Sequence, residues 1–212
     1  MYPTPDDEPG ARPVIDAAYL CERFRTHGTG LRVITGHFPL CAVEVLGEPF
    51  VTFTILRDPV ERTLSLLRRR KAAEVKYHDL GLEEIYDDPA LYDIIRNHMV
   101  KMLSLSAEEM TDTPLTATVA FDAARLGQAQ HNLEHGIHVF GLQERFEEFC
   151  GELSGLLERD LGAARFANRT QPSPVRDALR QRIADDNHLD VELYEFAQRL
   201  YRERHEPGPA RG

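Results

Sequence analysis

The chain has 212 residues, of which 42% are hydrophobic and 28% are charged, a balance that suits one domain with a substantial core. Its formal net charge of -10 and isoelectric point near 5.4 argue against a nucleic-acid-binding surface, which would need a basic footprint, and make a polyanionic partner less expected. Three widely spaced cysteines predict neither a disulfide framework nor a zinc site, and no apolar run reaches the roughly 20 residues of a transmembrane segment. We therefore expect a cytoplasmic protein.

The chain opens with an acidic, proline-rich stretch, so residues 1–13 are predicted to be a disordered lead-in. Apolar residues at helical spacing then predict a first helix over 14–24. The segment 27–30 holds two glycines, but it follows a helix and precedes an apolar run, so we interpret it as a turn and not as a phosphate loop. The apolar run itself, 31–35, predicts a strand.

A histidine stands at the end of that predicted strand. His37 lies between a glycine and the rigid Phe38-Pro39 pair. The carboxyl edge of a parallel sheet is where α/β enzymes hold catalytic groups, and a neutral imidazole can accept the proton of a hydroxyl. The alternative is a buried histidine bonded to the loop backbone, and the local pattern alone favours this alternative.

The most informative stretch is 50–71, where an apolar run turns into a helix. Seven apolar and β-branched residues, 50–56, predict a strand that is buried on both faces of a parallel sheet. Asp58 is placed to cap the following helix, Pro59 suits its first position, and Glu61 completes a capping box of the D-x-x-E kind. A strand that leads directly into a helix is thus predicted.

Capping does not explain Arg57, Arg62 and Ser65. Arg57 comes where the first N–H groups of the helix point out of the sheet edge, a common place for anions to bind. Arg62 and Ser65 are three residues apart and share a helix face, where a guanidinium and a hydroxyl suit an oxyanion. In the alternative interpretation, Arg57 pairs with a carboxylate, Arg62 is a surface charge and Ser65 packs as a small residue.

The nine residues 57–65, R-D-P-V-E-R-T-L-S, resemble the 3′-phosphate-binding motif of sulfotransferases that use 3′-phosphoadenosine 5′-phosphosulfate (PAPS). The likeness is greatest for the branch that contains the heparan sulfate 2-O-sulfotransferases and many bacterial members. It implies that Arg57 and Ser65 contact the 3′-phosphate, and it makes Arg62 a further ligand candidate. The upstream Gly36-His37 pair matches the G-H motif of the same branch, so His37 is implied as the base that deprotonates the acceptor hydroxyl.

Later segments extend the resemblance to about 31–204. The family has counterparts of the helix that includes 97–103 and of a late strand, here 137–142, followed by a helix. It also ends with an L-D-x-x-L-Y helix, for which Asp190 is the predicted N-cap. The loop before that last helix helps to cover the nucleotide in the family, which makes Arg169 and Thr170 candidate ligands.

The resemblance implies an α/β fold with three layers, in which helices flank a mostly parallel sheet as in P-loop nucleotide-binding proteins. The domain is expected over 14–204 with parallel strands near 31–35, 50–56 and 137–142, and residues 205–212 are expected to fray. The implied reaction is transfer of a sulfuryl group from PAPS, as co-substrate, to a hydroxyl of a sugar, lipid or other small molecule.

A metal ion is not expected in this chemistry. His131 and His135 are four residues apart and could bind a metal from one helix face, but nothing else in the chain has zinc-like spacing. We therefore predict no metal site.

One family feature has no counterpart. The family opens with a strand and a P-K-x-G-[GT]-T-[ST] loop that holds the 5′-phosphosulfate, whereas the lysines of this chain are Lys71, Lys76 and Lys101. We expect the first strand and loop to be missing, which leaves four alternatives: a shortened enzyme, an enzyme that borrows the loop from a partner, an inactive nucleotide-binding relative, or an interaction protein on the same scaffold. The last would expose an apolar surface that favours homo-oligomers.

Overall fold

The computed structural model describes residues 17–28, 33–110, 118–160 and 174–205, which form an α-rich α/β structure. Ten α-helices and two β-strands lie in these ranges. In chain order they are α1 (Ala17–His27), α2 (Ala42–Leu46), β1 (Phe53–Leu56), α3 (Pro59–Ala73), α4 (Leu82–Tyr86), α5 (Tyr92–Ile95), α6 (His98–Ser104), α7 (Ala123–His131), β2 (Val139–Leu142), α8 (Phe146–Leu156), α9 (Asp177–Asp186) and α10 (His188–His205).

The two strands are neighbours and run parallel. Phe53 pairs with Val139 and Leu56 with Leu142, so the two carboxyl ends lie at the same edge of the sheet. Both strands fall inside the predicted runs 50–56 and 137–142, and these two predictions are confirmed with shorter bounds.

Helix α8 lies close against β2. A Cβ added to Gly141 would stand 2.6 Å from the Cβ of Phe149, so only a glycine allows this close approach. The glycine therefore sets how near the helix comes to the sheet.

The prediction of a further strand over 31–35 is wrong for the described residues of this run, because residues 33–35 belong to no strand. Val33 is 42% exposed, whereas Ile34 packs with Phe38 against the cluster formed by α1 and α2. A short apolar run forms a strand only where a neighbouring strand pairs with it. Here the run serves as a connection that buries single side chains.

The start of α3 follows the sequence prediction. The Asp58 carboxylate accepts a hydrogen bond from the Glu61 N–H at 2.9 Å, and Pro59 occupies the first turn. The Glu61 carboxylate does not complete the box: it accepts a hydrogen bond from Arg180 of α9 at 2.6 Å. Leu64 of α3 is fully buried and helps to fix the helix against α4 and α9.

The apolar residues between 82 and 105 are divided among three helices, α4, α5 and α6. The first break falls at Asp88, whose carboxylate accepts from the Ala90 N–H and begins a short 3₁₀ turn at Pro89. The second falls at Asn97, which takes a left-handed conformation with φ of 41°. This residue turns the chain so that α6 begins in a new direction.

One prediction about a helix start is wrong. The last helix begins at His188, so Asp190 lies inside its first turn and is not its N-cap. The helix also includes His205, so within the predicted tail this residue is helical and 206–212 lie outside the described residues.

The core has three parts. One surrounds the sheet with α6, α7 and α10, the second joins α3, α4, α5 and α9, and the third holds α1 and α2. Of the helices in the described ranges, none combines the length and the apolar character needed to cross a lipid bilayer. Helix α3 packs against α4 and α9 of the second part and also contacts α10 of the first. Its Arg62 lies within electrostatic range of Lys101 on α6 and Asp190 on α10.

Candidate anion-binding site

The site begins at the junction of β1 and α3. Arg57 follows the last residue of β1 at the carboxyl edge of the sheet, and α3 then carries Arg62 and Ser65 one turn apart. The charges of Arg57 and Arg69 act on Arg62 and help to lower its pKa. Within the described ranges, neither Arg57 nor Arg62 has a side-chain hydrogen bond or an ion pair, so the expected carboxylate partner of the alternative interpretation is not found there.

His37 reaches this junction from the loop before α2. The loop is held by a 2.9 Å hydrogen bond from the Leu40 N–H to the Met102 carbonyl of α6. His37 is exposed at the surface, yet partial burial of its imidazole is the main cause that lowers its pKa, and the charges of Arg62 and Arg69 add to this effect. The imidazole is therefore neutral near pH 7.

Helix α6 contributes two polar side chains to the site, His98 and Lys101. His98 is 6% exposed, and its Nδ1 atom has no hydrogen-bond partner. Burial holds the pKa of His98 well below its usual value, and the charges of Arg62, Lys101 and His37 act in the same direction. This imidazole is thus a neutral group with a free polar atom inside the site.

Lys101 lies one turn further along α6 and is 1% exposed. Its Nζ donates a hydrogen bond to the Asp93 carbonyl of α5. Burial lowers the pKa of Lys101 to about 8; Asp93 and Asp190 oppose this shift and Arg62 supports it. The ammonium is therefore a buried cation at neutral pH.

Arg62 lies at the centre of these groups. Burial lowers its pKa to about 10, the Asp190 carboxylate opposes the shift, and the neighbouring arginines support it. Asp190 is itself 1% exposed, and burial raises its pKa to about 6 despite hydrogen bonds from two backbone N–H groups and the charge of Arg62. The carboxylate is charged near pH 7, although its burial makes the charged form less favourable.

We call this group the basic cluster; it consists of Arg57, Arg62, Arg69 and Lys101 with the imidazoles of His37 and His98. The carboxylates whose charges act on Arg62 and Lys101 are Asp190 and Asp93. The cluster brings four cations together in a chain whose net charge is -10. Such a concentration of cations can bind an anion that has several acceptor oxygens.

Other predicted positions lie elsewhere. Arg169 and Thr170 are outside the described residues. The rings of His131 and His135 are 4.7 Å apart, but among the described residues no group of three or more metal-binding side chains occurs. His138 belongs to the opposite edge of the sheet, where its Nδ1 accepts from the Thr52 N–H at 3.1 Å. These histidines are separate from the basic cluster.

Sequence patterns did not place His98, Lys101 or Asp190 in the candidate site. A signal for Lys101 does exist: it is a charged residue among the apolar positions 99, 100 and 103 of α6, which a surface lysine would avoid. Asp190 gave the opposite signal, because an aspartate near a helix start is usually read as the cap of that helix.

The chain was also compared with known proteins. No protein-family model matches it, and no curated protein matches it. The basic cluster and the motif resemblance are therefore the features that point to a function.

Proposed function

We propose that this chain binds 3′-phosphoadenosine 5′-phosphosulfate and transfers its sulfuryl group to a hydroxyl of a sugar, lipid or small-molecule acceptor. The observation that carries the proposal is the meeting of two motifs that are 20 residues apart in sequence. His37 of the G-H pair lies within electrostatic range of Arg62, which belongs to the R-D-P motif. We also propose that β1 and β2 are two strands of a larger parallel sheet. Helices would flank this sheet on both faces, in the three-layer fold of P-loop proteins.

The 3′-phosphate would bind at the β1–α3 junction. Arg57 offers a guanidinium there without a carboxylate partner in the described residues, and Ser65 offers a hydroxyl one helical turn after Arg62. Arg62 adds a second, more buried guanidinium whose depressed pKa of about 10 still leaves it charged at neutral pH. Planar guanidinium groups match the oxygens of a phosphate and bind it more strongly than neutral donors do.

His37 would act as the base. Its lowered pKa keeps the imidazole unprotonated near pH 7, so it can accept the proton of the acceptor hydroxyl. The hydroxyl oxygen forms a bond to sulfur while the bond from sulfur to the 5′-phosphate oxygen breaks. The products are the sulfated acceptor and adenosine 3′,5′-bisphosphate, and the proton on His37 passes to water.

Charge that develops on the leaving phosphate needs cations close by. Of the three lysines, Lys71 donates to the Leu80 carbonyl and Lys76 pairs with Asp88, both away from the junction. Lys101 belongs to the basic cluster, as does Arg69. These two residues are the candidates for the stabilising charge that the family takes from its phosphosulfate loop.

The first experiment is isothermal titration calorimetry with adenosine 3′,5′-bisphosphate, and with adenosine 5′-monophosphate as the ligand control. We expect Arg57→Ala to weaken bisphosphate binding roughly tenfold to a hundredfold, the effect of losing a charged hydrogen bond worth about 1.5–3 kcal/mol. Arg199→Ala, an exposed arginine on α10, removes the same charge elsewhere and should leave the affinity unchanged. Equal affinity for both nucleotides, or an unchanged affinity of Arg57→Ala for the bisphosphate, would exclude a 3′-phosphate site here.

The second experiment tests the chemical role of His37. His37→Ala should keep its affinity for adenosine 3′,5′-bisphosphate but lose transfer of labelled sulfate from PAPS to a panel of hydroxyl acceptors. Full transfer by this variant would remove His37 from the mechanism.

A second candidate function is nucleotide binding without transfer. The observation in its favour is that the chain has no P-K-x-G sequence, so the usual ligands of the 5′-phosphosulfate are missing from it. In that case calorimetry would detect the bisphosphate, and no acceptor would be sulfated by the unmodified chain. An interaction protein on the same scaffold would do neither.

A further inference from the structure

The carboxylate of Asp190 is the cap of a helix other than its own. Its Oδ2 accepts a hydrogen bond from the Met99 N–H at 3.0 Å, and its Oδ1 accepts one from the Val100 N–H at 2.8 Å. Both donors lie in the first turn of α6, where N–H groups have no partner inside the helix. Asn97, which precedes that helix, does not cap it with its side chain. The first turn of α6 therefore depends on a residue from α10.

Two asparagines reinforce the same junction. The Asn97 N–H donates to the Asn187 side-chain oxygen at 2.9 Å, and the Asn97 side-chain oxygen accepts from the Asp190 N–H at 3.2 Å. Asn187 in turn donates to the Ile183 carbonyl at 2.8 Å. All of these groups belong to residues that are almost fully buried, and the network fixes the start of α6 against the start of α10.

The same carboxylate lies within electrostatic range of two cations of the basic cluster. Arg62 of α3 and Lys101 of α6 both interact with the Asp190 charge, and the charges of Arg57 and Arg69 also act on Arg62. Arg62 and Asp190, both in the described part of the chain, form no direct ion pair. A buried guanidinium without any opposite charge would be strongly unfavourable, so the nearby carboxylate helps to keep Arg62 inside the site.

We propose that Asp190 is a positioning residue, which holds the first turn of α6, with His98, and the guanidinium of Arg62 in the arrangement that binds an anion. Its importance for nucleotide binding rests on the proposed function, whereas its hold on α6 and Arg62 does not. A simple electrostatic neighbour would behave in the opposite way: removal of its negative charge would make the basic cluster more attractive to an anion.

The first test needs no nucleotide. The carboxyl pKa of Asp190 is measured by NMR in the unmodified chain and in Arg62→Met, and it should rise in the variant because a neighbouring cation is lost. In Asp190→Asn, amide exchange at Met99 and Val100 should be about tenfold faster or more, the effect of losing a hydrogen bond to a charged group. An unchanged pKa or unchanged exchange at these amides would overturn the proposal whatever the chain binds.

The second test is calorimetry with adenosine 3′,5′-bisphosphate. Asp190→Asn should bind it about tenfold more weakly, because the side chains that bind the nucleotide are no longer held in place. This loss should outweigh the gain from removing a negative charge near an anion. Asp185→Asn removes the same charge from an exposed position on α9 and should bind like the unmodified chain. The weakening should diminish below about pH 6, where Asp190 itself becomes protonated.

The outcomes separate the two proposals. Unchanged or tighter binding by Asp190→Asn, in a chain that does bind the bisphosphate, overturns the positioning role. If the unmodified chain does not bind the bisphosphate but both NMR results are as expected, the positioning of α6 and Arg62 is supported and the nucleotide-binding function is rejected.

Discussion

The buried carboxylate of Asp190 should make stability depend on pH in an unusual direction. Its pKa is raised to about 6 in the folded chain, against an ordinary value of 3.8. The folded state therefore holds this proton more tightly than the unfolded state, and stability falls as the pH rises through this range. A pKa difference of about 2 is worth about 3 kcal/mol in total, and about 2 kcal/mol of this should be lost between about pH 4.5 and 7.5.

Urea unfolding at a series of pH values measures this effect as a difference between two proteins. Asp190→Asn cannot ionise, so its stability relative to the unmodified chain should increase by about 2 kcal/mol over that pH range. Titration of other groups is shared by both proteins and cancels. Asp185→Asn is exposed and should run parallel to the unmodified chain. A difference that is constant with pH, or that changes in the opposite direction, would show that Asp190 is not held at a raised pKa.

Two further predictions concern the parts of the fold that hold the site. Gly141→Ala should destabilise the chain by about 1–3 kcal/mol, because the new Cβ would stand 2.6 Å from Phe149; Gly127→Ala on open helix α7 should instead be neutral or stabilise it by up to about 1 kcal/mol. Asp58→Ala should cost about 1 kcal/mol, because the Glu61 N–H loses its cap. Thermal unfolding measures the stability of all three variants. Equal effects of the two glycine changes would refute the close approach of α8 to β2.

The β1–α3 junction could be predicted from the sequence because its determinants are local. An apolar run, an aspartate three residues before a glutamate and a proline in the first turn specify a strand, a cap and a helix within a dozen residues. The strand predicted over 31–35 was wrong for residues 33–35, because a strand depends on more than local sequence. Its apolar residues satisfied the local pattern, but pairing with a second strand is a non-local condition that residues 33–35 do not meet.

Local patterns in the sequence predicted Arg57, Arg62 and Ser65 as candidate ligands, together with the helix that carries two of them. Which groups surround them depends on how distant elements pack. Asp190 meets α6 across about 90 residues of chain, and its carboxylate caps that helix only because α10 packs there. Burial, charge and pKa depend on neighbours from every packed element, so Lys101 and His98 become part of the site through packing and not through any local pattern.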